Sequence, residues 1–141
     1  MQQTIRFLLS RDDFYHQRGY WVLAKALMKS GIEVVLGGIQ TPKDIVETAI
    51  QEDVDIIGYR IMDAAPNILI QILFDRMKEK GIGDIPVVVG GIIPKKDEIF
   101  IKGLGVKEVF HPYTPLETVL EQVTDIAIKA QATRRSGAET G

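Results

Sequence analysis

No cysteine occurs among the 141 residues, which excludes disulfides, thiolate metal sites and cysteine nucleophiles together. No apolar run approaches the ~20 residues needed to cross a bilayer. The opening Met1-Gln2-Gln3-Thr4 does not read as a signal peptide, so a cytoplasmic protein without membrane contact is expected. Neither sign of charge dominates: 17 Lys and Arg stand against 19 Asp and Glu, a net charge of -2. Nothing in that balance steers the chain toward nucleic acid. The glycine-rich fingerprints are also missing. There is no Gly-x-Gly-x-x-Gly after the first apolar run and no Gly-x-x-x-x-Gly-Lys anywhere, which removes the usual dinucleotide and phosphate-loop sites.

What the chain does have is a regular alternation of short β-branched runs with longer stretches of helical period. Thr4–Leu9, Glu33–Leu36, Asp55–Tyr59, Pro86–Val89 and Lys107–Phe110 read as strands. They are short and mostly apolar, as parallel strands covered on both faces are. Between them, Tyr20, Leu23, Ala24 and Leu27 form one helical stripe, and Gly31 sits where a left-handed cap belongs. Thr41-Pro42-Lys43-Asp44 is a helix start, with Ile45, Val46, Ala49 and Ile50 expected inward. Leu69, Ile72, Leu73 and Met77 mark a third helix ending near Gly81, and Lys95–Lys102 a short fourth. Thr114-Pro115 repeats the start signal before Leu116, Val119, Leu120, Val123 and Ala127.

Five strand–helix units in strict alternation imply an α/β fold with right-handed crossovers. The expected form is a flavodoxin-like, doubly wound five-stranded parallel sheet of order 2-1-3-4-5. Residues 1–130 form one domain; from Gln131 the apolar period is lost and a disordered tail over 131–141 is expected.

In such a sheet, ligands bind beyond the carboxyl ends of the strands. That rule selects five loops: Ser10–Gly19, Gly37–Thr41, Arg60–Pro66, Gly90–Pro94 and His111–Thr114. The first is the longest and carries Arg11, Asp12, Asp13, Tyr15, His16 and Arg18. A metal-ligating imidazole gives its other N–H to a carboxylate or carbonyl, and Asp12 or Asp13 is near enough in sequence to His16 to serve. Gly90-Gly91 reads either as a tight turn or as a place where a ligand approaches the backbone. His111 faces the same edge, as a second polar contact or as a capped or solvated group. Asp12 and Asp13 resemble the acidic pair of phospho-acceptor domains, but Tyr59-Arg60 stands where the acceptor aspartate would be.

Several stretches together carry a family resemblance. They are Arg18-Gly19, Ala24–Leu27, Gly31–Val35, Thr41-Pro42, Ile45-Val46, Ala49–Gly58, Gly90–Pro94 and Thr114-Pro115. From about Ile5 to Val123 the chain resembles the cobalamin-binding domain of the methylmalonyl-CoA mutase family, including its separately encoded small subunits. The resemblance implies adenosylcobalamin as cofactor. The histidine of an Asp-x-His-x-x-Gly motif becomes the lower cobalt ligand, and the displaced nucleotide tail enters between sheet and helices. His16 matches the cobalt ligand and Gly19 the motif glycine. Gly90 and Gly91 match a glycine pair lining the tail channel, and Thr114 falls in a loop near the tail.

Two positions depart from the pattern. Phe14 occupies the place of the motif aspartate, so Asp13 can partner His16 only through a rearranged loop. Arg60 and Met62, after Tyr59, replace a Ser-x-Leu motif, and their bulk predicts a crowded channel. The resemblance thus implies a non-catalytic, cofactor-binding subunit of an isomerase, held against a large barrel-containing mutase subunit that binds the acyl-CoA. A homo-oligomer is compatible with this reading. The Co–C bond would supply the radical chemistry. The alternative is a relative with a filled channel that acts as a structural or regulatory partner, or binds another small ligand over Arg60 and His16. Methyl transfer and light sensing with the same cofactor need a helical cap before the fold, for which no residues are present.

Overall fold

The computed structural model describes the backbone of residues 4–140 and the side chains through 134; the Met1–Gln3 segment and Gly141 lie outside the described residues. Five parallel strands, β1 (Arg6–Arg11), β2 (Glu33–Ile39), β3 (Ile56–Ile61), β4 (Val87–Gly91) and β5 (Glu108–Phe110), form one sheet of order β2-β1-β3-β4-β5. This is the expected flavodoxin-like order. Between and after them lie α1 (Gln17–Lys29), α2 (Pro42–Glu52), α3 (Pro66–Glu79), α4 (Lys95–Leu104) and α5 (Leu116–Thr140). Among the described residues no helix is long and apolar enough to cross a membrane.

Side-chain alternation along the strands builds two cores. Phe7, Leu9, Ile56 and Val88 face α1 and α5, where Tyr20, Ala24, Leu27, Val119, Val123 and Ala127 meet them. Leu8, Ile57, Tyr59, Ile61, Val87 and Val89 face α2, α3 and α4. Each strand is therefore apolar at successive positions because both of its faces are covered. The local start signal at Thr41 is realised in full. Asp44 N donates to Thr41 Oγ1 and Thr41 N donates to Asp44 Oδ2, each at 3.3 Å, so two otherwise unpaired donors of the helix end are satisfied. Gly31 takes φ +90 just past α1, the left-handed turn its position called for.

Several boundaries differ from expectation for physical reasons. Strand β2 runs through Gly37 and Gly38, because a register shift opposite Leu9/Ser10 lets pairing with β1 resume at Gly38. The glycine pair Gly90-Gly91 lies inside β4, opposite Arg60 and Ile61 of β3, rather than in a turn after the strand. Ile50 and Ile72 are exposed, whereas Ile70 shares the buried stripe with Leu73 and Met77. Helix α5 continues through residue 131 to Thr140. Gln131 is buried and donates to Thr4 O at 3.4 Å, and Arg134 pairs with Asp55 at 2.9 Å. These polar contacts to the first strand and its neighbours replace the apolar period that ends near Ala127.

Tyr20 links α1 to the sheet. Its hydroxyl donates to Leu9 O at 3.1 Å and accepts from Gly38 N at 3.0 Å, bracing the irregular stretch of β2. Burial raises its pKa, so it stays a neutral donor. Tyr20→Phe is expected to lower unfolding free energy by about 1–2 kcal/mol, since Gly38 N loses its partner. Urea denaturation measures this; an unchanged midpoint would contradict it.

Candidate functional site

Strands β1 and β3 are neighbours, but their connections run to opposite sides, so a crevice opens where α1 and α3 diverge. The five-residue loop from Asp12 to His16 crosses it. Asp12 fixes this loop by accepting three backbone N–H groups from the loop after β3: Met62 at 2.8 Å, Asp63 at 3.0 Å and Ala64 at 2.7 Å. Its own N–H donates to Arg60 O at 3.0 Å. A carboxylate holding three amides is a strong local clamp. Sequence reasoning missed this role because the partners lie about fifty residues away and carry no side-chain signature.

With Asp12 so engaged, Asp13 turns inward and hydrogen bonds His16 Nδ1. The Asp13 side chain is 5% exposed and that of His16 49%. The imidazole is thus held by a buried carboxylate on one nitrogen, while among the described residues Nε2 has no partner. Phe14, in the motif aspartate's place, is exposed and takes no part. Replacing an i−2 carboxylate by an i−3 carboxylate works because the loop precedes α1 and is not constrained to helical spacing.

Behind His16 a cavity of about 370 Å³ extends between the sheet and α1 and α5, within the roughly 300–1,000 Å³ range of small-ligand sites. Phe7, Leu9, Gly58, Val88 and Gly90 line its sheet side. Gly19, Val22 and Leu23 come from α1, and Leu116, Val119 and Val123 from α5. Arg60, Met62, Gly91, His111 and Thr114 also line it, while the selected residues of the first loop, Arg11, Asp12, Asp13, Tyr15, His16 and Arg18, lie outside the lining. Thr114 closes a turn, its hydroxyl donating to His111 O at 2.8 Å. His111 lines the cavity and is exposed, and its Nε2 pairs with Glu98 Oε1 at 2.6 Å.

The expected crowding does not occur. Tyr59 points to the other layer and donates to Gln40 O at 2.8 Å. Arg60 extends along the wall toward α1, its Nη1 donating to His16 O at 3.2 Å. It lies over Gly19, where an added Cβ would fall 2.6 Å from Nη2. The channel therefore stays open with Arg60 and Met62 present, and the premise of a filled channel is removed. Burial lowers the Arg60 pKa, Asp13 opposes that shift, Arg11 adds to it and Asp12 opposes it.

The two glycines differ in what they do. A Cβ on Gly90 would meet only Phe110 O, at 3.7 Å, so its missing side chain is cavity space. Gly91 has φ +127, and a Cβ there would lie 2.1 Å from Ile61 O, so it is required by the backbone.

The site is thus a carboxylate-held imidazole beside an apolar channel at the carboxyl edge of a doubly wound α/β domain. Residues 7–120 match the B12 binding domain family, and the chain belongs to that family. Among its relatives, 2-hydroxyisobutanoyl-CoA mutase small subunit of Aquincola tertiaricarbonis is 36% identical over 129 residues, 89% of this chain and 95% of that one. Pivalyl-CoA mutase small subunit of Xanthobacter autotrophicus is 33% identical over 120 residues, 84% of this chain and 80% of that one. Methylmalonyl-CoA mutase of Cereibacter sphaeroides is 35% identical over 118 residues, 83% of this chain but 17% of that longer one. Among solved structures, a cobalamin-binding protein from Desulfitobacterium hafniense superposes with TM-score 0.69 at 17% identity, covering 86% of this chain and 58% of that one. A signal receiver domain from Vibrio parahaemolyticus gives 0.73 at 10% identity, covering 95% and 98%. At these identities the structural likeness shows the fold alone.

The residues present fit a corrinoid. Among the described residues no group of three His, Cys, Asp or Glu gathers to hold a free ion. A metal already held by a macrocycle would need a single protein ligand, and His16 Nε2, without a partner among the described residues, is chemically suited to that. Gly90→Val is expected to leave stability within about 1 kcal/mol, since valine suits a strand, while abolishing ligand uptake by filling the channel. Gly91→Ala is expected to cost on the order of 2–4 kcal/mol through strain. Thermal melts and corrinoid titration of both variants check the pair; equal behaviour of the two would contradict the assignment.

Proposed function

We propose that this chain is the cobalamin-binding small subunit of an adenosylcobalamin-dependent acyl-CoA mutase. The observation that carries the reading is the Asp13-held His16, with Nε2 free, beside an open channel between the sheet and α1 and α5. In this reading His16 would hold the cobalt through Nε2, Asp13 would fix the imidazole's tautomer, and the channel along Gly90 and Gly91 would take the nucleotide tail. Gly19 admits Arg60 beneath the start of α1, and Met62 and Thr114 flank the opening. The cofactor supplies the radical chemistry of carbon-skeleton rearrangement when bound.

What the chain's own residues contribute is binding and orientation. They present the corrin at the carboxyl edge of the sheet, where Phe14, Tyr15, Ile92 and Tyr113 are exposed. The relatives of matching length are named small subunits of mutases. That supports a separate large subunit carrying the barrel and the acyl-CoA site, in the cytoplasm, with self-association of this chain compatible.

The test mixes the purified chain with hydroxocobalamin and with adenosylcobalamin, removes free ligand by desalting, and records the visible spectrum beside His16→Ala. Retained colour with a base-off, histidine-ligated spectrum is expected, and its loss in His16→Ala. No retention by the wild-type chain, even with the large subunit added, would overturn the reading.

A further inference from the structure

Arg11 and Arg60 are register partners on adjacent strands. Both side chains lie on the α1 face: the Arg11 guanidinium stands 4.7 Å from the Tyr20 ring centroid, and Arg60 reaches His16 O. Two like charges side by side repel. Yet among the described residues neither arginine forms an ion pair with a carboxylate. Arg11 is 9% exposed, and its Nε and Nη1 are buried without a hydrogen-bond partner.

Neither nearby acid touches Arg60: Asp12 accepts three amides and Asp13 pairs with His16 through Oδ2, so both act on the guanidinium only at a distance. The helix end above adds more positive potential. The first turn of α1 has no acidic residue and its cap makes no side-chain hydrogen bond, so no carboxylate offsets the positive end of the helix. Arg18 sits in that turn as well. The Arg60 guanidinium lines a largely apolar cavity beside a second one, and its direct contacts there are neutral, so a ligand anion in the channel would give it its first direct ion pair.

We propose that Arg60 selects corrinoids with an intact nucleotide tail, by placing its guanidinium on the phosphodiester of that tail at the channel opening. The proposal rests on the cobalamin reading above. The side-chain amides around a corrin ring are neutral, and the phosphodiester is the one peripheral anion of cobalamin. Arg60 is the cation that lines the cavity, with Arg11 beside it raising the local potential. A serine or methionine in the same place would leave that charge unmatched.

Equilibrium dialysis of hydroxocobalamin and of cobinamide, which lacks the tail, against wild type, Arg60→Met and Arg60→Lys tests this. Arg60→Met keeps bulk and loses charge, and should weaken cobalamin at least ~10-fold, as loss of a charge-assisted hydrogen bond does. Its affinity for cobinamide should stay within about twofold, and Arg60→Lys should recover most of the cobalamin affinity. Should Arg60→Met fail to fold, Arg60→Gln, which can still donate to His16 O, replaces it with the same expectation. Cobalamin bound equally or more tightly by the uncharged variant would overturn the proposal, as would equal weakening of both ligands. Wild type that binds cobinamide as tightly as cobalamin overturns this proposal alone. Wild type that binds neither overturns the functional reading as well.

Discussion

The carboxylate of Asp12 sits between two strand-to-helix connections that leave the sheet in opposite directions, and it holds them together. By accepting the N–H groups of Met62, Asp63 and Ala64 it shapes the loop after β3. The same bonds set where the loop after β1 turns. Asp13 can then face inward to His16, and Arg60 can pass beneath the start of α1. Without that clamp the crevice at the switch point would be bounded by two independent loops. With it, the imidazole, the channel opening and the guanidinium share one frame, and pre-organisation of this kind limits the entropy lost on binding.

The channel itself follows from residue sizes on one face of the sheet. Leu9, Val88 and Phe110 set the height of that face, while Gly90 leaves a gap and Phe7 folds over Gly58, whose absent Cβ would lie 2.3 Å from the Phe7 ring. On the opposite face Tyr59, Ile61, Val87 and Val89 are buried against α2, α3 and α4. One sheet thus carries a packed layer that stabilises and a gapped layer that binds. The cost of the gap is borne by a core that is continuous on the other side.

Much of this was legible in the residues. Strand and helix order, the Thr41 capping box, the sheet order and the edge bearing the site all follow from local patterns that do not depend on distant contacts. The cavity lining was legible in part: Gly90, Gly91, Arg60, Met62 and Thr114 fall on the carboxyl ends of strands or in the loops after them. What could not be read depended on tertiary geometry. Phe14 in the motif position suggested a missing carboxylate, but the loop brings Asp13 to His16 instead. Arg60 suggested a blocked channel, but Gly19 gives its guanidinium a place to lie. Gln131 and Arg134 lack apolar period, and only their contacts to Thr4 O and Asp55 extend the last helix.

The central claim is that His16 alone from this chain binds the cobalt of a base-off corrinoid. Electron paramagnetic resonance of the cob(II)alamin-loaded chain tests it most directly, because an axial nitrogen splits each cobalt line. Protein grown with 15N-histidine and loaded with unlabelled cofactor should show doublets where unlabelled protein shows triplets, and the doublets should persist in His111→Ala but vanish in His16→Ala. Triplets that persist in the labelled protein would mean that the cofactor's own base remains on the metal, and would contradict the account.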